Sequence, residues 1–550
     1  MKQNRWIILG ILGCILVAAV GYLWGTGMMD SLYAFRSPLK DNPPAPGQPL
    51  GKPLTRRVVF VLIDALRDDT SHKTNVMPFL NQLRTEGAWA TVHSRTPSYS
   101  EPGYSVLMTG AWPDISDGPA MNLDYADIPT WTQDNLFTAA HRAGLKTAVS
   151  GYYWFEKLIP QNAVDASFYT PGEDRAADVD VVNHALPWLQ SGDYQFILIH
   201  IDQVDYAGHH EGGPQSPNWD AAATRADDLL KQIVSTLDLK QDTVLVVSDH
   251  GQIDRGGHGG QDPIVLLEPF VLAGAGVKPG QYPDIQQTDI APTVAALLGT
   301  NIPATAQGIV QASMLNLTSD QLTSADAAQV AQKSQLMTAY EKAIGDSVQP
   351  KSDTPSAMIQ AMEQAKTNRL TAERIPRSAL AILLALIPAA VLVWKRSRKV
   401  AWFLGGAILY TILFNFGYAV VAGRTYSLSS VASSTDIIVF TAGTAAASLV
   451  LAWLALIYAL DWFRAAPRES AESVLAFTFV TIYLLSLPVL LSYAINGALV
   501  TWTTPEMASM FLGFLSLLQA LIVAVVGLLL TGATSLITFV NGRRKSKVSD

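Results

Sequence analysis

The hydrophobic positions of the chain follow three patterns in succession. Trp6 to Trp24 is a run without charge. From Arg57 to about Gln311, short aliphatic runs alternate with mixed polar stretches, and after Ser378 long apolar segments return. About 20 apolar residues span a bilayer, whereas four to eight aliphatic residues form a buried strand. The pattern therefore predicts a membrane segment, then an α/β domain, then a bundle of membrane helices.

The middle region alternates predicted strands with predicted helices. The strands predicted from continuous aliphatic runs are Val58–Ile63, Phe196–Ile201, Val244–Val247 and Phe270–Ala273. The helices predicted from apolar spacing are Met77–Glu86, Thr130–Ala143 and Asp220–Leu237, the last with Asp220 as its N-cap. Such alternation indicates a doubly wound, mostly parallel sheet covered by helices on both faces.

The segments on either side of this domain predict how it is connected to the membrane. The run Trp6–Trp24 fits a cleaved signal peptide or a retained anchor, and its length and the lack of a clear small-residue cleavage site favour an anchor over residues 1–25. Residues 26–55 are rich in proline and predict an extended linker to a domain at 56–311. Residues 312–376 are polar with helical periodicity, which predicts a helical connector.

The C-terminal part predicts five membrane helices over residues 377–542, followed by a basic tail at 543–550. The apolar segments are Ala379–Trp394, Ala401–Val421, Ile437–Leu460, Val474–Ile495 and Met510–Val540. With the N-terminal anchor there are six spans, and every basic cluster then falls on one side. Basic loops face the cytoplasm. We therefore predict a multi-pass plasma-membrane protein with both termini cytoplasmic and the α/β domain outside.

Composition and charge narrow the class of protein. Of 550 residues, 49% are hydrophobic and 15% charged, with a mean hydropathy of +0.21, which suits a protein that is part soluble and part membrane-embedded. The single cysteine, Cys14, excludes an internal disulfide and cysteine-based metal sites. Residues 26–376 hold 40 Asp and Glu against 24 Lys and Arg, a net charge of −16, while the remainder is net +8. An acidic soluble region argues against nucleic acid as a partner.

Metal-ligand side chains follow three of the predicted strands. Asp64 ends the first strand, Asp205 and His209 follow the second, and Asp249 and His250 follow the third; His258 comes next, framed by glycines. Carboxyl ends of parallel strands meet along one edge of a sheet. These residues form two His–carboxylate sets, enough for two divalent ions of the zinc type, and two ions can clamp both oxygens of an in-line phosphoryl transfer.

A cluster of hydroxyl residues precedes a predicted helix in Thr96–Gly110. A hydroxyl at a helix N-terminus faces free backbone N–H groups that favour phosphate, and a metal can activate it as a nucleophile. Ser100 is the preferred candidate, with Thr96, Ser98 and Ser105 as alternatives. Simple N-capping by these hydroxyls is the structural alternative.

Together these motifs resemble the alkaline phosphatase superfamily. The likeness is to its type I phosphodiesterase/nucleotide pyrophosphatase branch, and the stretch Gly87–Gly110 is especially similar to GPI ethanolamine phosphate transferases, which also combine an anchor, an external domain and a membrane bundle. It covers about Arg57 to Val310, including the motifs Ser100-Glu-Pro-Gly-Tyr104 and Thr288–Gly299. The resemblance implies an alkaline-phosphatase-like fold and a metal-dependent phosphodiesterase or phosphotransferase.

The resemblance also assigns individual residues. It implies that Asp205, His209 and His258 bind one zinc ion. It implies that Asp64, Asp249 and His250 bind the other, with Ser100 as nucleophile beside that ion. Asn122 would donate a hydrogen bond to a phosphoryl oxygen. Tyr152 and Trp154 would line the substrate pocket, with core packing as the alternative, and Asp202 is an alternative ligand to Asp205.

Three functions remain open at this level. One is transfer or release of a phospho-alcohol head group such as phosphoethanolamine from a phosphodiester, with a lipid or glycolipid as substrate. The second is hydrolysis of the nucleotide pyrophosphatase/phosphodiesterase type, and the third is a non-catalytic membrane scaffold. Sulfatases share the fold but need a Cys or Ser in a motif with arginine, which Ser100-Glu-Pro-Gly-Tyr104 lacks. Monoesterases of the superfamily place an arginine beside the nucleophile, where this chain has Glu101.

Overall fold

The chain divides into two structural units. The computed structural model describes residues 5–394, 398–431, 433–461 and 465–548. One unit comprises Ser31–Thr371 with Val500–Thr504, and the other comprises the segments Met1–Asp30, Ala372–Leu499 and Pro505–Asp550. The first is an α/β unit and the second is built of long apolar helices.

A nine-stranded sheet forms the centre of the α/β unit as described. Its strands are β1 (Arg57–Ile63), β2 (Ala88–His93), β3 (Thr147–Tyr152), β4 (Ala166–Thr170), β5 (Phe196–Ile201), β6 (Asp242–Val247), β7 (Leu267–Gly274), β8 (Gly280–Gln281) and β9 (Ile285–Gln286). The strand order is β4-β3-β5-β1-β6-β7-β2-β8, and β9 pairs with β2. β1 pairs in parallel with β5 and β6, and β7 is antiparallel to both its neighbours. The predicted mostly parallel sheet is therefore confirmed.

Both faces of the sheet are covered, because successive residues of the central strands point into two different cores. In β1, Val58, Phe60 and Leu62 belong to one hydrophobic cluster. Val59, Val61 and Ile63 belong to the other. This explains the unbroken aliphatic run in the sequence, since a strand buried on both faces has no solvent-facing positions to be polar.

The helices pack in two layers against these cores. Those of the α/β unit are α2 (Asp68–Ser71), α3 (Pro78–Glu86), α4 (Ser100–Thr109), α5 (Pro113–Ser116), α6 (Leu136–Arg142), α7 (Trp154–Leu158), α8 (Arg175–Ser191), α9 (Gln203–His210), α10 (Pro217–Val234), α11 (Ile290–Leu298) and α12 (Ser319–Ile344). Helices α4, α6 and α11 contribute to one core, and α3, α8 and α10 to the other. The doubly wound arrangement is thus confirmed.

Two predicted helix starts are wrong. Helix α10 begins at Pro217, and its N-cap is Ser216 rather than Asp220, because the Ser216 side chain accepts from Asn218 N and proline suits the first helical position. The helix predicted from Thr130 begins only at Leu136, where Asn135 forms a capping box.

The second unit contains the helices expected of a membrane region. It includes α1 (Arg5–Tyr33) as far as Asp30 and α13 (Pro355–Trp394) from Ala372 onward. Its other helices are α14 (Arg398–Asn415), α15 (Ser434–Leu460), α16 (Pro467–Asn496) and α17 (Met507–Val548). Within the described ranges, five helices are long and apolar enough to cross a membrane: Pro355–Trp394, Arg398–Val421, Thr435–Leu460, Pro467–Asn496 and Met507–Asn541. The chain is therefore a multi-pass membrane protein. Helix α1, the predicted N-terminal anchor, is not one of these five helices.

Two further sequence predictions concern this unit. The last apolar segment is long enough to tilt or to break near Gly527 or Gly532, but helix α17 runs without interruption past both glycines. Several residues that set the predicted orientation lie outside the described residues: Lys2, Lys395, Arg396, Arg464 and the end of the basic tail, 549–550.

A buried lysine connects helix α12 to the rest of the α/β unit through hydrogen bonds. Lys333 is fully buried, and its Nζ lies 2.7 Å from each of three acceptors, the backbone oxygens of Ala306 and Gly308 and Gln332 Oε1. Burial lowers the pKa of Lys333 from its ordinary 10.5 to about 7. Between these two values the unfolded chain binds a proton that the folded chain does not, so the stability linked to Lys333 rises with pH.

We predict that Lys333→Met flattens this pH dependence. In the wild type, the free energy of unfolding gains a contribution from Lys333 as pH rises from about 7 toward 10, and the variant lacks that contribution. Thermal unfolding of the full chain in detergent at a series of pH values measures it. Lys342→Met, which removes an exposed lysine from the same helix, is the matched control and should keep the wild-type slope. An unchanged slope in Lys333→Met would contradict the assignment.

Candidate active site with two metal-ligand sets

The candidate site lies where the three central strands end. Asp64 directly follows β1, Asp249 and His250 follow β6, and α9 starts just after β5 and carries Asp205 and His209. β1 lies between β5 and β6 in the sheet, so residues nearly 200 positions apart in sequence meet at one edge.

Three predicted residues surround one ring nitrogen of a fourth, His250. His250 Nε2 lies 3.2 Å from Ser100 Oγ, 3.3 Å from Asp249 Oδ2 and 3.5 Å from Asp64 Oδ1. Ligand atoms held about 2.0–2.1 Å from one tetrahedral ion are roughly 3.3 Å apart. The spacing of this first set, Asp64, Asp249, His250 and Ser100, therefore matches a single coordination sphere.

The second set lies beside the first. His209 Nε2 is 2.9 Å from His258 Nε2 and 3.5 Å from Asp205 Oδ2, and His258 Nε2 is 3.7 Å from Asp205 Oδ1. Asp205 and His209 are four residues apart on α9 and so share one face of the helix. The rings of His250 and His258 stack with centroids 3.9 Å apart, which joins the two sets. Two-metal phosphoryl-transfer sites hold their ions about 3.5–4 Å apart.

His250 and His258 each use Nδ1 for a hydrogen bond to the backbone, which leaves Nε2 to bind a cation. His258 Nδ1 lies 3.1 Å from the backbone oxygen of Ser98, and His250 Nδ1 lies 3.1 Å from that of Gly251. A carbonyl oxygen can only accept, so each Nδ1 carries the ring hydrogen and each Nε2 presents its lone pair to the carboxylates. This is the arrangement that a metal-ligating histidine adopts.

One oxygen of each of two buried carboxylates is left for a metal ion, because no described residue donates a hydrogen bond to it. Asp64 Oδ1 and Asp249 Oδ2 are buried and have no hydrogen-bond partner among the described residues. Burial, and next the charge of Asp64, raise the pKa of Asp249 well above its ordinary value. Burial opposes ionisation of Asp205, but the nearby His209 and His258 outweigh it and hold that pKa below its usual value. A divalent cation in each set would relieve the cost of these buried charges.

Ser100 is the hydroxyl that faces the first set. It is the first residue of α4 and is 5% exposed. The alternatives are engaged elsewhere: Ser98 Oγ bonds to the Gly259–Gly260 backbone, and Ser105 Oγ donates to Glu101 O and accepts from Trp131. The geometry therefore favours Ser100 over Ser98 and Ser105 as the candidate nucleophile.

Glycine allows the helix that carries Ser100 to approach Asp249. A Cβ at Gly103, one turn into α4, would lie 2.9 Å from Asp249 Cβ and 3.1 Å from its backbone oxygen. No larger residue fits without moving the helix away from the first set.

Asn122 lies next to the N-terminus of α4. Its Oδ1 accepts from Glu101 N at 3.1 Å, so the amide nitrogen is the group left to donate elsewhere. Leu123 N donates in return to Glu101 Oε1 at 2.9 Å. Burial raises the pKa of Glu101 to about 8, so this carboxyl carries its proton at neutral pH and adds no charge beside Ser100.

Gln252 connects the second set to the glycine loop, and the sequence analysis missed it. Its Nε2 donates to Asp205 Oδ1 at 2.6 Å, and its Oε1 accepts from Gly257 N at 2.9 Å, next to His258. Gly208 leaves room for this amide, since a Cβ there would lie 2.0 Å from Gln252 Oε1. The sequence signal that could have identified Gln252 is its position two residues after His250.

The remaining predicted residues lie around the site. Tyr152 ends β3, and its hydroxyl donates to Glu173 at 2.5 Å. Trp154 contacts the Tyr152 ring edge-to-face and packs against the core. These contacts are compatible with both predictions for this pair, a lining of the substrate pocket and packing in the core. Asp202 groups with Asp64 and His200 instead of with His258, which favours Asp205 as the ligand of the second set.

The fold and these two ligand sets resemble those of the alkaline phosphatase superfamily, a class of phosphoryl-transferring enzymes. Residues 58–258 match the family model described as type I phosphodiesterase / nucleotide pyrophosphatase. The resemblance found in the sequence is thus confirmed.

Individual proteins are also similar to this chain. The chain is 30% identical to human GPI ethanolamine phosphate transferase 2, catalytic subunit, over 48% of the chain and 30% of the relative. It is 28% identical to mouse GPI ethanolamine phosphate transferase 1 over 52% of the chain and 35% of the relative. The matched region thus spans about a third of these curated relatives. Among solved structures, human ectonucleotide pyrophosphatase / phosphodiesterase 5 is 15% identical, with a TM-score of 0.39, over 44% of this chain and 95% of that one.

We predict that Gly103→Ala impairs metal binding and activity together. The added methyl group would contact Asp249 and force the start of α4 outward, at a cost of about 1–3 kcal/mol in stability. Zinc binding and phosphodiesterase rate of the purified chain measure the effect. Gly443→Ala, at a helical glycine with open space around it, is the control and should match the wild type. Normal zinc affinity and rate in Gly103→Ala would contradict the proposed contact.

Proposed function

We propose that the protein is a membrane-anchored, two-zinc phosphodiesterase or phosphotransferase that uses Ser100 as nucleophile. The observation that carries this proposal is the position of Ser100 Oγ, 3.2 Å from His250 Nε2 and at the edge of two adjoining ligand sets. A hydroxyl in such a place is poised for phosphoryl transfer, because the neighbouring cation can stabilise its alkoxide.

The chain's own residues have distinct roles in this proposal. Asp64, Asp249 and His250 would hold one ion near Ser100, and Asp205, His209 and His258 would hold the other. Bound zinc supplies charge stabilisation for the attacking and leaving oxygens. The N-terminus of α4 points its backbone dipole toward the phosphoryl group.

The reaction then proceeds in two displacements. Ser100 Oγ forms a bond to phosphorus as the bond to the leaving alcohol breaks, and the product is a phosphodiester of serine. Water or an acceptor alcohol next displaces Ser100. Asn122 has its oxygen fixed by Glu101 N, so its amide nitrogen is free to donate to a phosphoryl oxygen. Tyr152 and Trp154 are proposed to line the space for the substrate.

The proposed substrate is a phosphodiester with a phospho-alcohol head group such as phosphoethanolamine, carried by a lipid or glycolipid. The names of the curated relatives support it, as do the five apolar helices, which would keep the enzyme where lipid donors are present. We further propose the domain boundaries and the orientation that the sequence predicts, with six spans in the plasma membrane, both termini cytoplasmic and the α/β domain outside.

A nucleotide pyrophosphatase/phosphodiesterase-type hydrolase is the second candidate. It is favoured by the description of the family model that matches residues 58–258. Such an enzyme would use the same Ser100 and the same ions but would pass its intermediate to water.

We predict that Ser100→Ala lowers phosphodiesterase activity at least about a thousandfold without loss of bound metal, because the six carboxylate and imidazole ligands of the two sets remain. The rate on bis-p-nitrophenyl phosphate with zinc is the measurement. Ser105→Ala removes a hydroxyl one turn further along α4 that bonds to Glu101 O, and it should retain activity. Equal activity in Ser100→Ala and wild type would rule out Ser100.

Attack by Ser100 on phosphatidylethanolamine releases diacylglycerol in either case, after which transfer passes phosphoethanolamine to an acceptor alcohol and hydrolysis releases it free. If phosphoethanolamine is the transferred group, the purified chain should release diacylglycerol from phosphatidylethanolamine in mixed micelles, and Ser100→Ala should not. Cells that lack the protein should show reduced phosphoethanolamine decoration of lipids or glycans by mass spectrometry. Cleavage of a nucleotide pyrophosphate with no release of diacylglycerol would instead establish the hydrolase.

A further inference from the structure

Two buried side chains outside the predicted ligand sets bind the same oxygen of Asp64. His200 lies in β5 and Tyr104 lies on α4, and both are 1% exposed. Asp64 Oδ2 accepts a hydrogen bond from the Tyr104 hydroxyl and lies 3.0 Å from His200 Nε2. The Tyr104 oxygen is in turn 3.1 Å from His200 Nε2.

The backbone determines which nitrogen of His200 carries the hydrogen. Tyr152 N donates to His200 Nδ1 at 3.4 Å. An amide N–H can only donate, so Nδ1 acts as the acceptor and the ring hydrogen is on Nε2, directed at Asp64 Oδ2. The single hydrogen of the Tyr104 hydroxyl also goes to Oδ2. Both donors therefore occupy one oxygen of Asp64, and Oδ1 is left without a hydrogen-bond partner among the described residues.

Tight packing keeps both rings in place. A Cβ at Gly151 would lie 2.6 Å from His200 Cβ, so glycine lets β3 pass directly against this histidine. The Tyr104 ring stacks on Phe155 with centroids 4.5 Å apart, and both rings meet His200 edge-to-face at 5.4 Å. The two donors thus have fixed directions.

We propose that His200 and Tyr104 are positioning residues of the metal site. By binding Oδ2, they turn Oδ1 of Asp64 toward His250 and Asp249, where the ion beside Ser100 is proposed to lie. The inference deepens the proposed function and rests on its first ligand set.

A different role for His200 is as a ligand itself. Ligand atoms of Asp64, His200 and Asp202 lie within 4.8 Å of one another, close enough for a third ion. The hydrogen bonds argue against it, because His200 Nδ1 is occupied by Tyr152 N and Nε2 uses its hydrogen on Asp64. Binding an ion through Nε2 would require that hydrogen to leave.

Measurements of zinc affinity distinguish positioning of the metal site by His200 and Tyr104 from a role in folding alone. The full chain in detergent is titrated with zinc against a competing chelator, and its zinc content is measured by elemental analysis. We expect Tyr104→Phe and His200→Leu each to weaken one zinc ion about 10–100-fold, as loss of an outer hydrogen bond to a metal ligand does. His200→Gln, which can keep a donor near the Nε2 position, should restore most of the affinity. The zinc content should stay at two per chain, and His141→Leu, at an exposed histidine, should match the wild type.

Two outcomes would overturn the proposal. One is unchanged zinc affinity in Tyr104→Phe and His200→Leu, and the other is a third zinc ion in the wild type that His200→Leu removes. Tyr104→Phe decides alone if His200→Leu fails to fold, because it deletes one oxygen from a ring that keeps its packing. If the affinities change as expected but the wild type cleaves no phosphodiester, the proposed function fails while the positioning role stands.

Discussion

Two aspartates buried side by side, Asp64 and Asp249, impose the constraint on which the site depends. Charged carboxylates are costly to bury unless a cation or strong donors compensate them. Each of these two retains a buried oxygen without a hydrogen-bond partner among the described residues, and the lone pair of His250 faces both. A divalent ion satisfies all three groups at once, and the hydroxyl of Ser100 lies where it would share that ion.

The surrounding fold brings this arrangement about. The order of the central strands sets their carboxyl ends side by side, and two hydrophobic cores fix the strands from both faces. The helix of Ser100 and the loop of His258 then approach closely. Gly103 permits the first approach, and Gly256 permits the second, since a Cβ there would lie 1.9 Å from the Gly208 backbone oxygen. The hydrogen bonds of Gln252 and His200 orient Asp205 and Asp64, which are proposed to bind the ions.

The sequence predicts the parts of this structure that depend on local pattern. Continuous aliphatic runs identified β1, β5 and β6, and the ligand types at their ends identified the two sets. β2 is buried only at alternate positions and β4 only partly, so neither formed such a run, and neither was predicted. Ser216 was missed as a cap because Asp220 offered an equally good local signal. The roles of Gln252, His200 and Tyr104 depend on contacts between distant strands and helices, and no local pattern reports those.

The central claim is that two adjoining cation sites lie at the ends of β1, β5 and β6. Anomalous X-ray scattering at the zinc edge from crystals of the zinc-loaded chain tests it most directly. The account predicts two peaks roughly 3.5–4 Å apart. One would contact Asp64, Asp249 and His250, and the other would contact Asp205, His209 and His258. A single peak, or peaks bound by other residues, would contradict it.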